Sequence, residues 1–241
     1  YSSRTFKYIP TIDIDNAYAF LFKGISRTLG ATLRSIFNLN VEDNIRRYQT
    51  LASKKDPYDT YDIFFDTHQK YGLKPIWFFF FFKSGKFDKN VSIDKSAYRN
   101  LIKNISKRSE IGIHPSYKAF RDYNLLQNEV EELKTIISKK VVRSRQHYLR
   151  IHFSETYRNL ISAGIQEDYT MGYSTDIGFR AGTCTPFHYY DLTNEEETSL
   201  IVYPFQLMDI TLNQHKKYNV SAAISVIEDL IEKIKDVNGT F

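Results

Sequence analysis

The sequence of 241 residues is 42% hydrophobic and 15% aromatic, which is enough apolar material for a full core. Its net charge of +5 is modest, and nucleic-acid-binding proteins usually show a denser basic stripe, so we expect no nucleic-acid partner. The single Cys184 excludes an internal disulfide framework and favours a reducing compartment. No apolar run is long enough to span a membrane and no secretory signal is visible, so we expect a cytoplasmic protein.

Predicted strands and helices alternate along the chain. Strands are predicted within residues 9–18, then at 74–82, 110–114, 141–151 and 200–203. Helices are predicted at 17–37 with an interruption near Gly30, and at 41–52, 96–107, 126–137, 154–163 and 220–237. The alternation contains no internal repeat and no long linker. It predicts an α/β domain over residues 1–241 with a mostly parallel sheet, open or closed into a barrel.

The first predicted strand ends in two carboxylates. Side chains alternate along a strand, so Ile12 and Ile14 share one face while Asp13 and Asp15 share the other. Charges inside a fold need a cation, a metal or a reaction to offset their desolvation. One Asp could therefore bind a divalent metal while the other acts as a base. Alternatively, both acids cap the following helix.

Polar residues also occur at two later strand ends. His114 lies on the face of its strand opposite two isoleucines, and Arg145 and His147 share one face of the next. Active sites of parallel α/β folds gather at the carboxyl ends of the strands. Acids, imidazoles and an arginine at successive strand ends therefore predict a metal site with acid–base chemistry.

Three of these stretches resemble motifs of the polysaccharide deacetylases, carbohydrate esterase family four. Thr11-Ile12-Asp13-Ile14-Asp15 resembles the first motif, Thr-Phe-Asp-Asp. His114-Pro115-Ser116 is similar to the start of the second, His-Ser/Thr-x-x-His, and Arg145-Gln146-His147-Tyr148 to the third, Arg-x-Pro-Tyr. The chain also looks like a bacterial subgroup that carries a separate amino-terminal domain. The stretches that support this are 56–59, 111–117, 144–150, 168–173 and 178–183.

The resemblance implies a distorted (β/α) barrel and a metal-dependent site. The implied roles are Asp13 as catalytic base, Asp15 and His114 as metal ligands, Arg145 as the charge that steadies the base, Tyr148 as an oxyanion donor through its backbone N–H, and Asp168 and Arg180 as pocket-lining residues that support Arg145.

The sequence departs from the family pattern at two of these motifs. The last His of the second motif falls at Lys118, which cannot bind a metal while charged. His147 could supply the third ligand, act as an acid, or fill the family's Pro position; we prefer the ligand, since zinc and related ions favour imidazole. The inserted Ile14 also allows Asp13 and Asp15 to exchange roles.

The resemblance implies a hydrolase that depends on a divalent metal, with zinc preferred. It implies removal of an acyl group, with N-acetyl preferred, from an amino sugar of a glycan or glycoconjugate. The alternatives are a glycan-binding relative that has lost turnover and an amidohydrolase acting on a non-sugar amide. The family's fifth motif, Leu-x-His, has no match after Leu200, where His215 lies in a polar stretch. We expect a longer chain to continue into a strand that carries this His beside the Asp13 strand, and the present chain to leave a gap there and to be poorly active.

Overall fold

The computed structural model of the chain describes residues 4–37, 41–81 and 90–241. Seven strands form one sheet in the order β1-β2-β3-β4-β5-β7-β6. All neighbouring strands are parallel except β6 and β7, which are antiparallel. The strands are β1 Thr11–Ile14, β2 Ile76–Phe80, β3 Glu110–His114, β4 Arg143–Ser144, β5 Glu167–Asp168, β6 Phe187–Asp191 and β7 Glu196–Val202. The predicted α/β class with a mostly parallel sheet is confirmed.

Helices lie between most of the strands. They are α1 Ile25–Phe37, α2 Val41–Ser53, α3 Tyr61–Lys70, α4 Ser96–Ile105, α5 Tyr123–Ile137, α6 Glu155–Ser162 and α7 Val220–Asp236. The helix predicted at 17–37 is wrong in its first third and in its interruption, because α1 starts at Ile25 and runs through Gly30. Phe22 and Gly24 have φ angles of +61° and +86°, which are incompatible with a right-handed helix.

The central strands separate an apolar helix-facing side from the side that carries the candidate site. Every residue of β2 is buried. Trp77 and Phe79 join the main hydrophobic cluster, together with Ile111 and Ile113 of β3. Phe78 points to the opposite face of the sheet, in a second, small cluster.

The sheet of the described residues is open, with β1 at one end and β6 at the other. After α7 the backbone passes beside the start of the first strand, where Ile9 N donates to Phe241 O over 2.8 Å and Phe241 N donates to Lys7 O over 2.9 Å. This is the place where we expected a further strand; that such a strand carries a His stays a prediction. In the ranges described above, no helix has both the length and the apolar character needed to cross a bilayer.

Candidate active site

Asp15, His114 and His147 come together at the carboxyl end of the sheet. Asp15 follows β1 directly, His114 is the last residue of β3, and His147 lies in the turn after β4. One potential ligand atom of each residue lies within 4.8 Å of the others, and Asp15 Oδ1 is 3.1 Å from His114 Nε2. The predicted convergence is confirmed. A carboxylate with two imidazoles suits zinc and related ions.

His114 is held so that one ring nitrogen points at this cluster. The side chain is buried, and Nδ1 lies 2.6 Å from the backbone carbonyl oxygen of Arg145. Because a carbonyl oxygen only accepts, Nδ1 carries a proton. Nε2 therefore donates to Asp15 when the ring is charged, and it has a free lone pair for a metal when the ring is neutral. Burial lowers the pKa of His114, but the hydrogen bond to Asp15 and the charges of Asp13 and Asp15 outweigh burial and raise it overall. An imidazole oriented by a carbonyl in this way fits a metal ligand, for which metal and proton compete.

Asp13 is paired with Arg145 beside the cluster. Arg145 Nη1 donates to Asp13 Oδ1 over 2.9 Å, and the two side chains are only 5% and 14% exposed. The predicted charge-assisted hydrogen bond is confirmed. Arg145 Nε also donates to the Tyr169 carbonyl oxygen over 2.9 Å. The guanidinium is therefore fixed by two acceptors, and it fixes the Asp13 carboxylate in turn.

Two glycines leave room for the rings that pack on Arg145. The guanidinium carbon of Arg145 lies 4.9 Å from the ring centre of Phe78 and 5.0 Å from that of Phe205. A Cβ atom at Gly112, which neighbours Phe78 in the β2–β3 register, would collide with the Phe78 ring, and one at Gly172 would collide with the Phe205 ring. The cation–π contacts offset part of the cost of burying the guanidinium.

The segment that carries His147 is a turn, so the strand predicted at 141–151 is wrong after Ser144. Strand β4 has only two residues, and a 3₁₀ turn spans His147–Leu149. Tyr148 and Leu149 have φ angles of +58° and +51°, a left-handed conformation that costs an L-residue roughly 1–2 kcal/mol. This turn, and not the alternation of a strand, places the His147 ring with its centre 5.1 Å from that of His114.

Asp168 stabilises this turn through hydrogen bonds to Thr170. It is fully buried at the end of β5 and accepts hydrogen bonds from Thr170 N at 3.0 Å and Thr170 Oγ1 at 2.7 Å. Thr170 Oγ1 accepts a hydrogen bond from Gln146 N at 3.0 Å. The chain of contacts thus runs from Asp168 to the residue before His147. It gives Asp168 a role in positioning this turn, in addition to the implied support of Arg145, which stays a prediction.

Replacing Asp168 with Asn is expected to change how stability depends on pH. Burial raises the pKa of Asp168 to about 6 from an ordinary 3.8, against hydrogen bonds from Thr170 and the charges of Arg145 and Arg180. As pH rises, the unfolded chain loses this proton first, so the native state loses stability between these two values. The free energy of unfolding of Asp168→Asn, relative to the wild type, should therefore rise by about 2 kcal/mol from pH 4 to pH 8. Urea unfolding at both pH values measures this, and a constant difference would contradict it.

Arg180 also holds the turn that carries His147. Arg180 Nη1 donates to the carbonyl oxygens of Leu149 at 3.2 Å and Gly172 at 3.1 Å. The Tyr148 side chain is 57% exposed, and the role of its backbone N–H stays a prediction. Lys118 is exposed and lies outside the Asp15–His114–His147 cluster.

Two buried acids hold the loops that follow β1 and β3. Asp56 accepts hydrogen bonds from the backbone N–H groups of residues 19–21 at 2.7–2.9 Å and of Tyr58 at 3.0 Å. Glu129 of α5 accepts from Ser116 N at 3.0 Å and Ser116 Oγ at 2.5 Å. No role was predicted from the sequence for either residue. The Asp-Pro pair at Asp56 signals a turn, and Glu129 sits in a helical pattern with no local signal of burial.

Comparison with known proteins identifies the fold. No protein-family model and no curated protein matches the sequence significantly. Over its full length, the chain matches 76% of a protein from Mycobacterium smegmatis, described provisionally as a polysaccharide deacetylase, with a TM-score of 0.59 and 12% sequence identity. The chain has the polysaccharide deacetylase fold.

Two other solved structures match less closely than that deacetylase. One, from Bordetella bronchiseptica, is described provisionally as a polysaccharide deacetylase involved in O-antigen biosynthesis (14% identity, 83% of this chain, 57% of that chain, TM-score 0.41). The other is a de-N-acetylase from Aggregatibacter actinomycetemcomitans (11% identity, 70% of this chain, 89% of that chain, TM-score 0.38). These two TM-scores are too low to add to the argument. The separate amino-terminal domain stays a prediction.

Proposed function

We propose that this chain is a metal-dependent hydrolase that removes an N-acetyl group from an amino sugar of a glycan or glycoconjugate. The observation that carries the proposal is the cluster of Asp15, His114 and His147 beside the Asp13–Arg145 pair. The polysaccharide deacetylase fold supports it. Zinc is our candidate ion, because imidazole and carboxylate groups are among its usual ligands.

The residues of the site have separate roles in the proposed amide hydrolysis. A metal held by the Asp15–His114–His147 cluster would supply positive charge to polarise the substrate carbonyl and stabilise the oxyanion. Asp13 takes a proton from the attacking water on Oδ2, the oxygen that does not receive the Arg145 hydrogen bond, as the water oxygen bonds to the acetyl carbon. The same proton passes from Asp13 to the amine nitrogen as the carbon–nitrogen bond breaks, which leaves acetate and the free amino sugar. The backbone N–H of Tyr148 is the proposed second donor to the oxyanion.

Acetate release is the direct test. The purified chain is incubated with oligomers of N-acetylglucosamine after loading with zinc, after chelation, and after zinc is added back. We expect slow release, because no match to the fifth motif follows Leu200, and we expect chelation to abolish this release and added metal to restore it. Metal and glycan binding without release would support the glycan-binding alternative. Release only from small non-sugar amides would support the amidohydrolase.

Replacing His147 with Gln is expected to weaken zinc binding by more than about 100-fold, since even residues that only orient a ligand are worth about 10–100-fold. His147 contributes one of the three ligand atoms of the cluster. Competition with a chromophoric chelator measures the affinity. His215→Gln is the matched control, because His215 is exposed and lies outside the cluster. Equal affinities in the two variants would remove His147 from the ligand set.

A further inference from the structure

The hairpin formed by α1 and α2 has polar residues inside and apolar residues outside. Thr32, Ser35, Arg47 and Thr50 are all at most 9% exposed, and Arg47 Nη1 donates to Thr32 Oγ1 across the two helices over 3.0 Å. The apolar side chains Leu29, Leu33, Phe37, Ile45, Tyr48 and Leu51 are 42–84% exposed. A helical hairpin in water normally buries its apolar stripe against its neighbours. This hairpin does the reverse.

The exposed apolar residues of both helices lie on the same side of the hairpin. The helices are antiparallel, because each has 13 residues, roughly 20 Å, and the four residue steps from Phe37 to Val41 reach at most about 14 Å. That reach is too short to return the chain to the other end of α1. Leu33 directly follows the contact residue Thr32, and Tyr48 directly follows the contact residue Arg47. Successive residues of a helix are roughly 100° apart around its axis. Each apolar stripe therefore lies roughly 100° around its helix axis from the residue that contacts the other helix. Equal rotations along antiparallel helices point to the same side.

The same segment carries all of the excess positive charge of the chain. Residues 23–55 contain seven Lys or Arg and two Asp or Glu, a net charge of +5, which equals that of the whole sequence. The basic residues are Lys23, Arg27, Arg34, Arg46, Arg47, Lys54 and Lys55. Arg47 is buried between the helices and is not part of the exposed charge. An apolar stripe with flanking Lys and Arg is typical of helices that lie in the plane of an anionic membrane. A second copy of the hairpin would bring like charges together.

We propose that the α1–α2 hairpin docks on the surface of an anionic lipid bilayer, with its exposed apolar side in the headgroup region. The proposal does not depend on the activity of the enzyme. It has a consequence for the candidate site, because only residues 16–24 lie between Asp15 and α1. A docked hairpin keeps the Asp15 cluster within roughly 30 Å of the lipid surface, where a membrane-attached glycoconjugate could reach it.

Vesicle flotation tests the proposal with phosphatidylcholine vesicles and with vesicles that also contain phosphatidylglycerol. We expect the wild-type chain to bind the anionic vesicles and to release them at high salt. Leu33→Ser should weaken this binding about 10-fold, because it removes one leucine side chain that the bilayer would bury. Arg34→Glu should weaken binding to the anionic vesicles only. Leu192→Ser is the matched control, because Leu192 is 77% exposed and lies outside the hairpin.

Circular dichroism checks that each variant is folded. If Leu33→Ser does not fold, Arg34→Glu still tests the proposal. Equal binding of both vesicle types, or no binding of either, would overturn the proposal. A dimer that Leu33→Ser dissociates, without vesicle binding, would show that a second copy covers the hairpin. Equal effects of Leu33→Ser and Leu192→Ser would show that the surface is not specific.

Discussion

Asp13→Asn is expected to slow acetate release by roughly 10²–10⁴-fold, the usual contribution of a positioned proton acceptor. The amide oxygen of Asn can still accept the hydrogen bond that Arg145 Nη1 gives to Asp13 Oδ1, so the substitution removes basicity and preserves shape. Initial rates of zinc-loaded protein measure the effect. The free energy of unfolding should fall by only roughly 1–3 kcal/mol, because Arg145 keeps the Tyr169 carbonyl oxygen and the Phe78 ring as partners.

Metal content decides between the two possible roles of the neighbouring acids. Asp13→Asn should bind zinc as the wild type does, whereas Asp15→Asn should lose it. The reverse result would show that Asp13 and Asp15 have exchanged roles, as the inserted Ile14 allows. Asp229→Asn on α7 is the control, because Asp229 is an exposed acid hydrogen-bonded to a basic side chain, Lys233, over 2.5 Å. It should change neither rate nor metal content.

Strands with a strong burial pattern were predictable, and segments fixed by distant contacts were not. The uninterrupted apolar run of β2 follows from its position in the middle of a parallel sheet. Strand β3 alternates because Ile111 and Ile113 face the main hydrophobic cluster, while Gly112 and His114 face the candidate site. The start of α1 was predicted too early. The preceding segment is held by Asp56 and Asn90, which lie 36 and 73 residues further along the chain from Phe20 and Ala17. No local pattern records such contacts.

The candidate site was predictable to the extent that it depends on which face of a strand a residue occupies. The alternation of strand faces placed Asp13, Asp15, His114 and Arg145 at one edge of the sheet, and the family resemblance implied that Arg145 pairs with Asp13. The sequence contains no signal for the turn that places His147 in the cluster. That turn relies on left-handed Tyr148 and Leu149, whose side chains give no signal for that conformation.

Asp56→Asn is expected to lower the free energy of unfolding by roughly 2–6 kcal/mol at neutral pH. Oδ1 of Asp56 accepts from Ala19 N and Tyr58 N, and Oδ2 accepts from Phe20 N and Leu21 N. An amide has one acceptor oxygen, so in either orientation its NH₂ group faces two backbone N–H donors. Each buried donor left without an acceptor costs about 1–3 kcal/mol.

The pH dependence of this loss separates a charge effect from a change of shape. Burial raises the pKa of Asp56, but the four backbone hydrogen bonds outweigh burial and hold it below its ordinary value of 3.8. The ionised form therefore stabilises the native state above that value, and the stabilisation disappears as pH falls through the lowered pKa. Urea unfolding should show the wild type and Asp56→Asn approaching each other below about pH 4.

Asp59→Asn is the matched control for Asp56→Asn, since Asp59 is exposed three residues further on. It should unfold as the wild type does. Because Asp56 holds residues 19–21 shortly after Asp15, its replacement should also weaken zinc binding, which Asp59→Asn should not. Equal stability of the two variants would mean that the carboxylate does not hold this loop in solution. Lost stability with unchanged zinc affinity would mean that Asp15 keeps its position without the Asp56 contacts.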